Sequence, residues 1–181
     1  PKLKGSGYDG ATVRDLMQMS SGVKMNENYD IHSSEPNLFA EGIYQSWFSE
    51  AVRFSDFAAT LEQASPPGTV FNYNTFDTQV LGSVLEGATG QRFTEFLGEA
   101  LWRPLGMESD LLMTMDSAGD DREALAGGGY LMTLQDFGRF GQMMLNGGVA
   151  DGRRMHPHAW VDEATPSDPA TPLPPAGASD A

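Results

Sequence analysis

Apolar residues along this chain recur mostly at helical spacing, and the stretches between them carry the polar, glycine and proline signals of turns. Val13, Leu16 and Met17 share one helical face, so residues 12–19 predict a short helix with Thr12 as N-cap, stopped at Ser20-Ser21-Gly22. From Lys24 to about Ser46 the pattern breaks down, with Asn, Ser, Asp and Pro interleaved among Tyr29, Phe39 and Tyr44. That predicts a long irregular loop, and long loops inside compact domains are more often functional than idle. Trp47 to Gln63 returns to helical spacing through Phe54, Phe57, Ala58 and Leu61, then stops at Ser65-Pro66-Pro67-Gly68. Thr69–Tyr73 predicts an extended piece running straight into a long helix through Val80, Leu81, Val84 and Leu85, closed by Gly90. Two further helices are predicted over Thr94–Trp102 and, with Thr133 as cap, over Leu134–Leu145; a short strand falls at Tyr130–Met132. Residues 164–181 are rich in Pro, Ala, Ser and Asp without apolar period, which predicts a loop or disordered tail after a domain spanning 1–163.

The expected segment is therefore mainly α-helical, with a few strands too short to build a sheet. Composition narrows the partners more than the fold. A length of 181 residues, 40% apolar, suits one domain that can bury a core. The net charge of −14 excludes a basic footprint for nucleic acid or anionic lipid, and the scattered acids read as a solvated surface. No apolar run approaches the roughly 20 residues of a membrane helix, so no membrane span is expected. The opening residues carry no charged-then-apolar leader pattern, and the compartment stays open. Cysteine is absent, which removes disulfides, thiolate metal sites and a cysteine nucleophile. His32, His156 and His158 lie in predicted loops, and neither a metal nor a cofactor is expected. Gly127–Gly129 lacks a phosphate-loop lysine and reads as close backbone packing.

The chemistry-bearing candidate is Tyr73, placed where an extended segment turns into a helix. A phenol ordinarily titrates near pH 10, and a neighbouring ammonium favours phenolate, which lets tyrosine act as general base and then general acid. Spacing alone leaves a second reading open: a core tyrosine beside Phe71 with its hydroxyl satisfied by backbone.

The residues around it carry a family pattern. Pro67-Gly68-Thr69, Phe71-x-Tyr73, Leu81-Gly82, Glu86, Thr89-Gly90 and Pro104-Leu105-Gly106-Met107 resemble the middle of the serine β-lactamase, penicillin-binding protein and esterase superfamily. Thr12–Val23 resembles the segment after the nucleophile helix in class C-like members, and Gly128–Gly148 resembles a later helix that backs onto the site. Gly5-Ser-Gly-Tyr8, Met19-Ser-Ser-Gly22-Val and the Asn26–Tyr29 loop are most similar to nylon-oligomer (aminohexanoate-dimer) hydrolases and related esterases. The resemblance implies an α+β β-lactamase-like fold, of which this is the mostly helical middle, with the central antiparallel sheet largely absent. It also implies an acyl-enzyme mechanism on a small-molecule amide or ester, with a Ser-x-x-Lys serine as nucleophile. Tyr73 matches the motif tyrosine. Asn74 and Thr75 stand where a short polar pair meets substrate, and Tyr29 lies in the loop that folds over substrate.

One literal Ser-x-x-Lys is present, Ser21 to Lys24, yet it lies past a helix stop and downstream of the family's motif. The chemistry needs both side chains on one helical face. The remaining lysines, Lys2 and Lys4, belong to no such motif, and no Lys-Thr-Gly-like strand occurs. The expected partner is therefore flanking polypeptide carrying the nucleophile helix and the sheet. The alternative is a non-catalytic binding or scaffold module built on the same fold.

Overall fold

The computed structural model describes residues 2–28, 32, 34, 37–48 and 52–165. In chain order these form α1 (Val13–Met17), α2 (Leu38–Phe48), α3 (Phe54–Thr60), α4 (Thr75–Thr89) and α5 (Phe93–Leu97), which continues as a π-helical turn over Gly98–Trp102. Then come β1 (Leu112–Met113), β2 (Tyr130–Leu131), α6 (Leu134–Leu145), β3 (Val149–Ala150), β4 (Arg153–Arg154) and α7 (His158–Ala164). The described residues divide into two compact units: one holds the chain up to Gly90 with Thr114–Gly129, the other Gln91–Met113 with residues 130–165.

The first unit is built around α4. Its inward residues Phe76 and Val80 join Phe54, Phe57, Ala58 and Leu61 of the α3 region, Leu16 of α1 and Ile43 of α2 in one buried apolar cluster. The Phe76 ring lies 5.1 Å from Phe57 and 6.2 Å, edge-on, from Phe39. Burying a side chain of this size contributes about 1.5–3 kcal/mol. The glycine at 42 brings α2 onto this cluster, since a Cβ there would sit 2.5 Å from the Phe57 ring and 2.7 Å from Phe76.

Two connections tie the segment after α1 to the rest of the unit. Val23 bridges Gln63 in antiparallel fashion. Gly22, at φ +78, accepts from Ala64 and Ser65 through its carbonyl, and a Cβ on it would collide with the Ser65 carbonyl oxygen at 2.1 Å. Both the left-handed backbone and the close approach demand glycine here.

In the second unit, α6 begins at Thr133, whose Oγ1 accepts from the Asp136 amide as an N-cap. Asp136 is fully buried and accepts from the amides of Glu108 and Ser109 and from Arg139, which pins the preceding loop to the helix. β1 pairs antiparallel with β2, Leu112 opposite Leu131, and β3 pairs with β4 across the turn at Asp151-Gly152.

Two expectations are revised. Residues 38–46, expected as loop, belong to α2, because Asn37 accepts from the Ala40 amide at its start and Phe39 and Ile43 pack on the core. The single helix expected over 47–63 is two: α2 ends at Phe48, and α3 starts only at Phe54 and stops at Thr60. Leu61 is extended (φ −68, ψ 142), because the chain there joins the bridge to Val23. The β3–β4 hairpin and α7 were not expected from periodicity. The predicted tail from 164 lies outside the described residues apart from Ala164, which closes α7, and Thr165.

Candidate active site

Tyr73 sits one residue before the cap of α4, and the chain leading to it is held from below. After α1 the backbone turns through Met19 in a left-handed conformation (φ 52), a strained choice for a residue with a side chain. That turn points the carbonyls of Met19 and Ser20 toward the incoming segment. The Asn72 amide donates to Met19 O at 2.8 Å and the Gly68 amide to Ser20 O at 2.7 Å. The Asn72 side-chain amide adds a bond to Met25 O at 3.0 Å.

Beyond Tyr73 the chain is locked again. Asn74 is extended (φ −152, ψ 104) and caps α4, its Oδ1 accepting from the Phe76 amide at 2.9 Å. Its Nδ2 donates to Asp77 Oδ1 at 2.8 Å and to the Tyr8 hydroxyl at 3.3 Å. The Thr75 amide and hydroxyl both donate to the Glu27 carboxylate, at 2.7 and 2.6 Å. Gly127 presses on this residue, with no room for a Cβ against Thr75. Gln79, one turn further on, binds Ala124 O and the Ala126 amide, fixing the strand of chain that ends at Gly127.

The result is a sharp contrast in exposure. Every residue from Phe71 to Val80 is buried or partly buried except Tyr73, which is 54% exposed. The core-tyrosine reading of residue 73 is thereby set aside. Asn74 and Thr75, expected to meet substrate, instead spend their side-chain groups on internal partners, and Asn74 is 1% exposed. They shape the junction that presents Tyr73. Tyr29 lies outside the described residues.

The Ser21–Lys24 pair separates as its sequence context predicts. Ser21 is buried and donates to Asp77 Oδ1 at 2.8 Å, whereas Lys24 is exposed, and Val23 between them is in a bridge rather than a helix. The serine is buried, the lysine is exposed, and the two do not share the helical face that the dyad requires.

Sequence reasoning missed the buried polar cluster beneath the junction, formed by Tyr8, Ser21, Asn74 and Asp77. Burial pushes the Asp77 carboxyl up to about 6, with hydrogen bonds from Ser21 and Tyr8 opposing the shift. Burial, joined by the Asp77 charge, drives the Tyr8 hydroxyl well above its ordinary value. The available signal was spacing, because Asn74 and Asp77 stand at the cap and third position of α4, a helix-capping pattern.

Two further features bear on ligands. The outer face of α2 exposes Tyr44, Trp47 and Phe48, which with Phe39, Ile43 and Leu125 line an apolar groove of about 410 Å³. Among the described residues, no group of three or more metal-ligating side chains gathers, and no helix is long and apolar enough to cross a membrane.

Comparison with known proteins bears on the same question. Residues 1–178 match the family model described as Beta-lactamase. The 6-aminohexanoate-dimer hydrolase of Paenarthrobacter ureafaciens is 34% identical over 164 residues, covering 90% of this chain and 41% of that protein. Penicillin-binding protein 4 of Amycolatopsis lactamdurans is 31% identical over 128 residues, covering 58% of this chain and 34% of its own. Among solved structures, a Bacillus anthracis protein assigned as a 6-aminohexanoate-dimer hydrolase superposes with a TM-score of 0.73 at 25% identity, covering 89% of this chain and 42% of its own. The chain thus spans about two fifths of the length of the first of these relatives. With a family model matched along nearly its whole length, the chain belongs to the Beta-lactamase family.

Proposed function

We propose that this chain supplies the catalytic tyrosine and part of the substrate cleft of a serine hydrolase that cleaves amide or ester bonds through an acyl-enzyme. The observation that carries the reading is the half-exposed Tyr73 ring, held outward at a junction whose neighbours on both sides are hydrogen-bonded inward. The nucleophilic serine and its lysine belong to flanking polypeptide in this reading. The lysine ammonium beside the phenol would favour phenolate, letting the Tyr73 oxygen take the serine proton as the serine oxygen attacks the carbonyl. The same proton then passes to the departing amine or alkoxide. Water completes the cycle by hydrolysing the acyl-enzyme, with the phenol oxygen again taking and returning a proton.

Amides are the better-supported substrate class, because the relatives at 34% and 31% identity carry amide-hydrolase and penicillin-binding names. The apolar groove on α2 suits an uncharged methylene or ring segment of such a substrate. Tyr29 retains its proposed place over the substrate by resemblance alone.

The test uses the polypeptide that carries this chain together with its flanking segments. Tyr73→Phe should lower kcat/KM for an activated amide or ester by about 10²- to 10⁴-fold, the range for a positioned proton-transfer group. Full activity in Tyr73→Phe would refute the assignment. Absence of labelling by a serine-directed acylating probe in the unaltered protein would favour the scaffold alternative.

A further inference from the structure

We infer that Asp77 is a positioning residue for Tyr73: a buried carboxylate that, through Asn74 and Ser21, fixes the extended-to-helix junction from which the Tyr73 hydroxyl projects. The inference rests on the reading of Tyr73 as the proton-transfer group.

The geometry is specific. Asp77 is fully buried, and its Oδ1 accepts two bonds at 2.8 Å, from Asn74 Nδ2 and from Ser21 Oγ. An ionised carboxylate only accepts, so its Oδ1 dictates which end of the Asn74 amide faces inward. The other end, Oδ1 of Asn74, is thereby left to cap α4 at the Phe76 amide. Asn74 is the residue whose extended backbone aims Tyr73 outward. Ser21 joins the same oxygen to the chain next to Met19 and Ser20, whose carbonyls hold Gly68 and Asn72. One atom therefore ties together the segments on both sides of Tyr73.

Stability does not explain a carboxylate at this place. Burial works against the ionised carboxyl here, and hydrogen bonds from Ser21 and Tyr8 offset that cost only in part. Its use is explained if the charged acceptor sharpens the junction, because hydrogen bonds to an ionised group are shorter and about twice as strong. The titratable group facing Asp77 is Tyr8, whose hydroxyl stays protonated far above neutrality. From α1 and α3, which also pack on α4, no charged group comes within hydrogen-bond reach of it among the described residues. Protonation of Asp77 replaces an acceptor by a donor in this closed space and should slacken the hold on Asn74.

The test has two arms. With ¹³Cζ-labelled tyrosine in the full chain, the Tyr73 resonance, identified by its loss in Tyr73→Phe, should shift between pH 4.5 and 8 with a midpoint near that of Asp77, about 6. Asp77→Asn should abolish that inflection. A Tyr73 signal that is flat in the unaltered chain, or that keeps its inflection in Asp77→Asn, overturns the inference. In the polypeptide carrying the flanking segments, Asp77→Asn should lower kcat about tenfold with KM unchanged and remove an acid limb near pH 6, the effect of replacing charge-assisted bonds by neutral ones. A lowered melting temperature with the pH profile intact would mark Asp77 as merely structural and overturn it too. Should Asp77→Asn fail to fold, Ser21→Ala removes one donor to the carboxylate and should raise the Tyr73 midpoint; an unmoved midpoint counts against the inference. Full activity in Tyr73→Phe would defeat the proton-transfer reading alone, since the resonance arm reports the Asp77–Tyr73 link independently of catalysis.

Discussion

The buried carboxyl of Asp77 should make this protein less stable as pH rises from about 4 to 7, relative to an Asp77→Asn variant. Burial lifts the group from an ordinary 3.8 to about 6, and bonds from Ser21 and Tyr8 recover only part of the lost solvation. A shift of about two pH units at roughly 1.4 kcal/mol each corresponds to about 3 kcal/mol. The folded chain binds this proton more tightly than the unfolded chain does. Its stabilising contribution is therefore complete below about 3.8, declines across the interval, and is gone once pH exceeds about 6. Asparagine cannot titrate and keeps a carbonyl oxygen in place for Asn74 and Ser21.

The assay is urea unfolding of both chains at several pH values between 4 and 7, compared at equal m. Other acids shift stability with pH as well. Asp56, for example, is held below its ordinary range by its hydrogen bond to Lys2, and so loses stabilisation on acidification. A group that makes no bond to residue 77 contributes alike to both chains and cancels in the difference. The free energy of Asp77→Asn minus that of the unaltered chain should rise by about 2 kcal/mol from pH 4 to 7, since part of the full effect is already lost at pH 4. A flat difference would mean that burial does not dominate at Asp77. A falling difference would mean that its hydrogen bonds outweigh burial and that the group is held ionised, refuting the reasoning.

Packing at the junction gives a second expectation. Gly127→Ala places a Cβ 2.5 Å from Thr75 Cγ2 and 2.8 Å from Thr75 O, an overpacking that should cost about 1–3 kcal/mol in thermal or urea unfolding. Gly128→Ala, which meets open space, is the control and should stay within about 0.5 kcal/mol. At the false motif, Lys24→Ala should leave acylation of the flanked polypeptide unchanged, since its side chain is exposed while Ser21 is buried and bonded to Asp77. Loss of acylation in that variant would restore Ser21–Lys24 as a candidate dyad.

The parts of this fold that could be read from sequence are those whose signals are local. Residues 134–145 form the helix that their period predicts, with Thr133 as its cap, and Thr12 caps α1 as its spacing with Asp15 allows. The passage from extended chain to α4 and its stop at left-handed Gly90 were equally visible. Helix α2 was not, because its sequence opens among Asn, Ser and Pro and its inward face is narrow. Only packing of Phe39 and Ile43 on Phe57 and Phe76 makes it a helix. The β3–β4 hairpin did carry a local signal, Asp151-Gly152 with both residues at positive φ, and that turn chemistry went unused.

The same division separates Tyr73 from the residues that present it. A tyrosine at a strand-to-helix passage is visible in one dimension, and so is the family pattern around it. Its direction is decided by partners 48 to 66 residues away along the chain: Glu27 on Thr75, Ser21 on Asp77, Tyr8 on Asn74. Those residues fall within the family pattern, yet no period or spacing in the sequence ties them to residue 73, because each is polar in a loop until folding brings it beneath α4. Asn74 and Thr75 were expected to touch substrate because they follow the tyrosine. In the fold, both side chains are bonded to internal partners beneath the exposed residue. At such a junction the exposed residue is the chemical candidate, and its sequence neighbours are the means of aiming it.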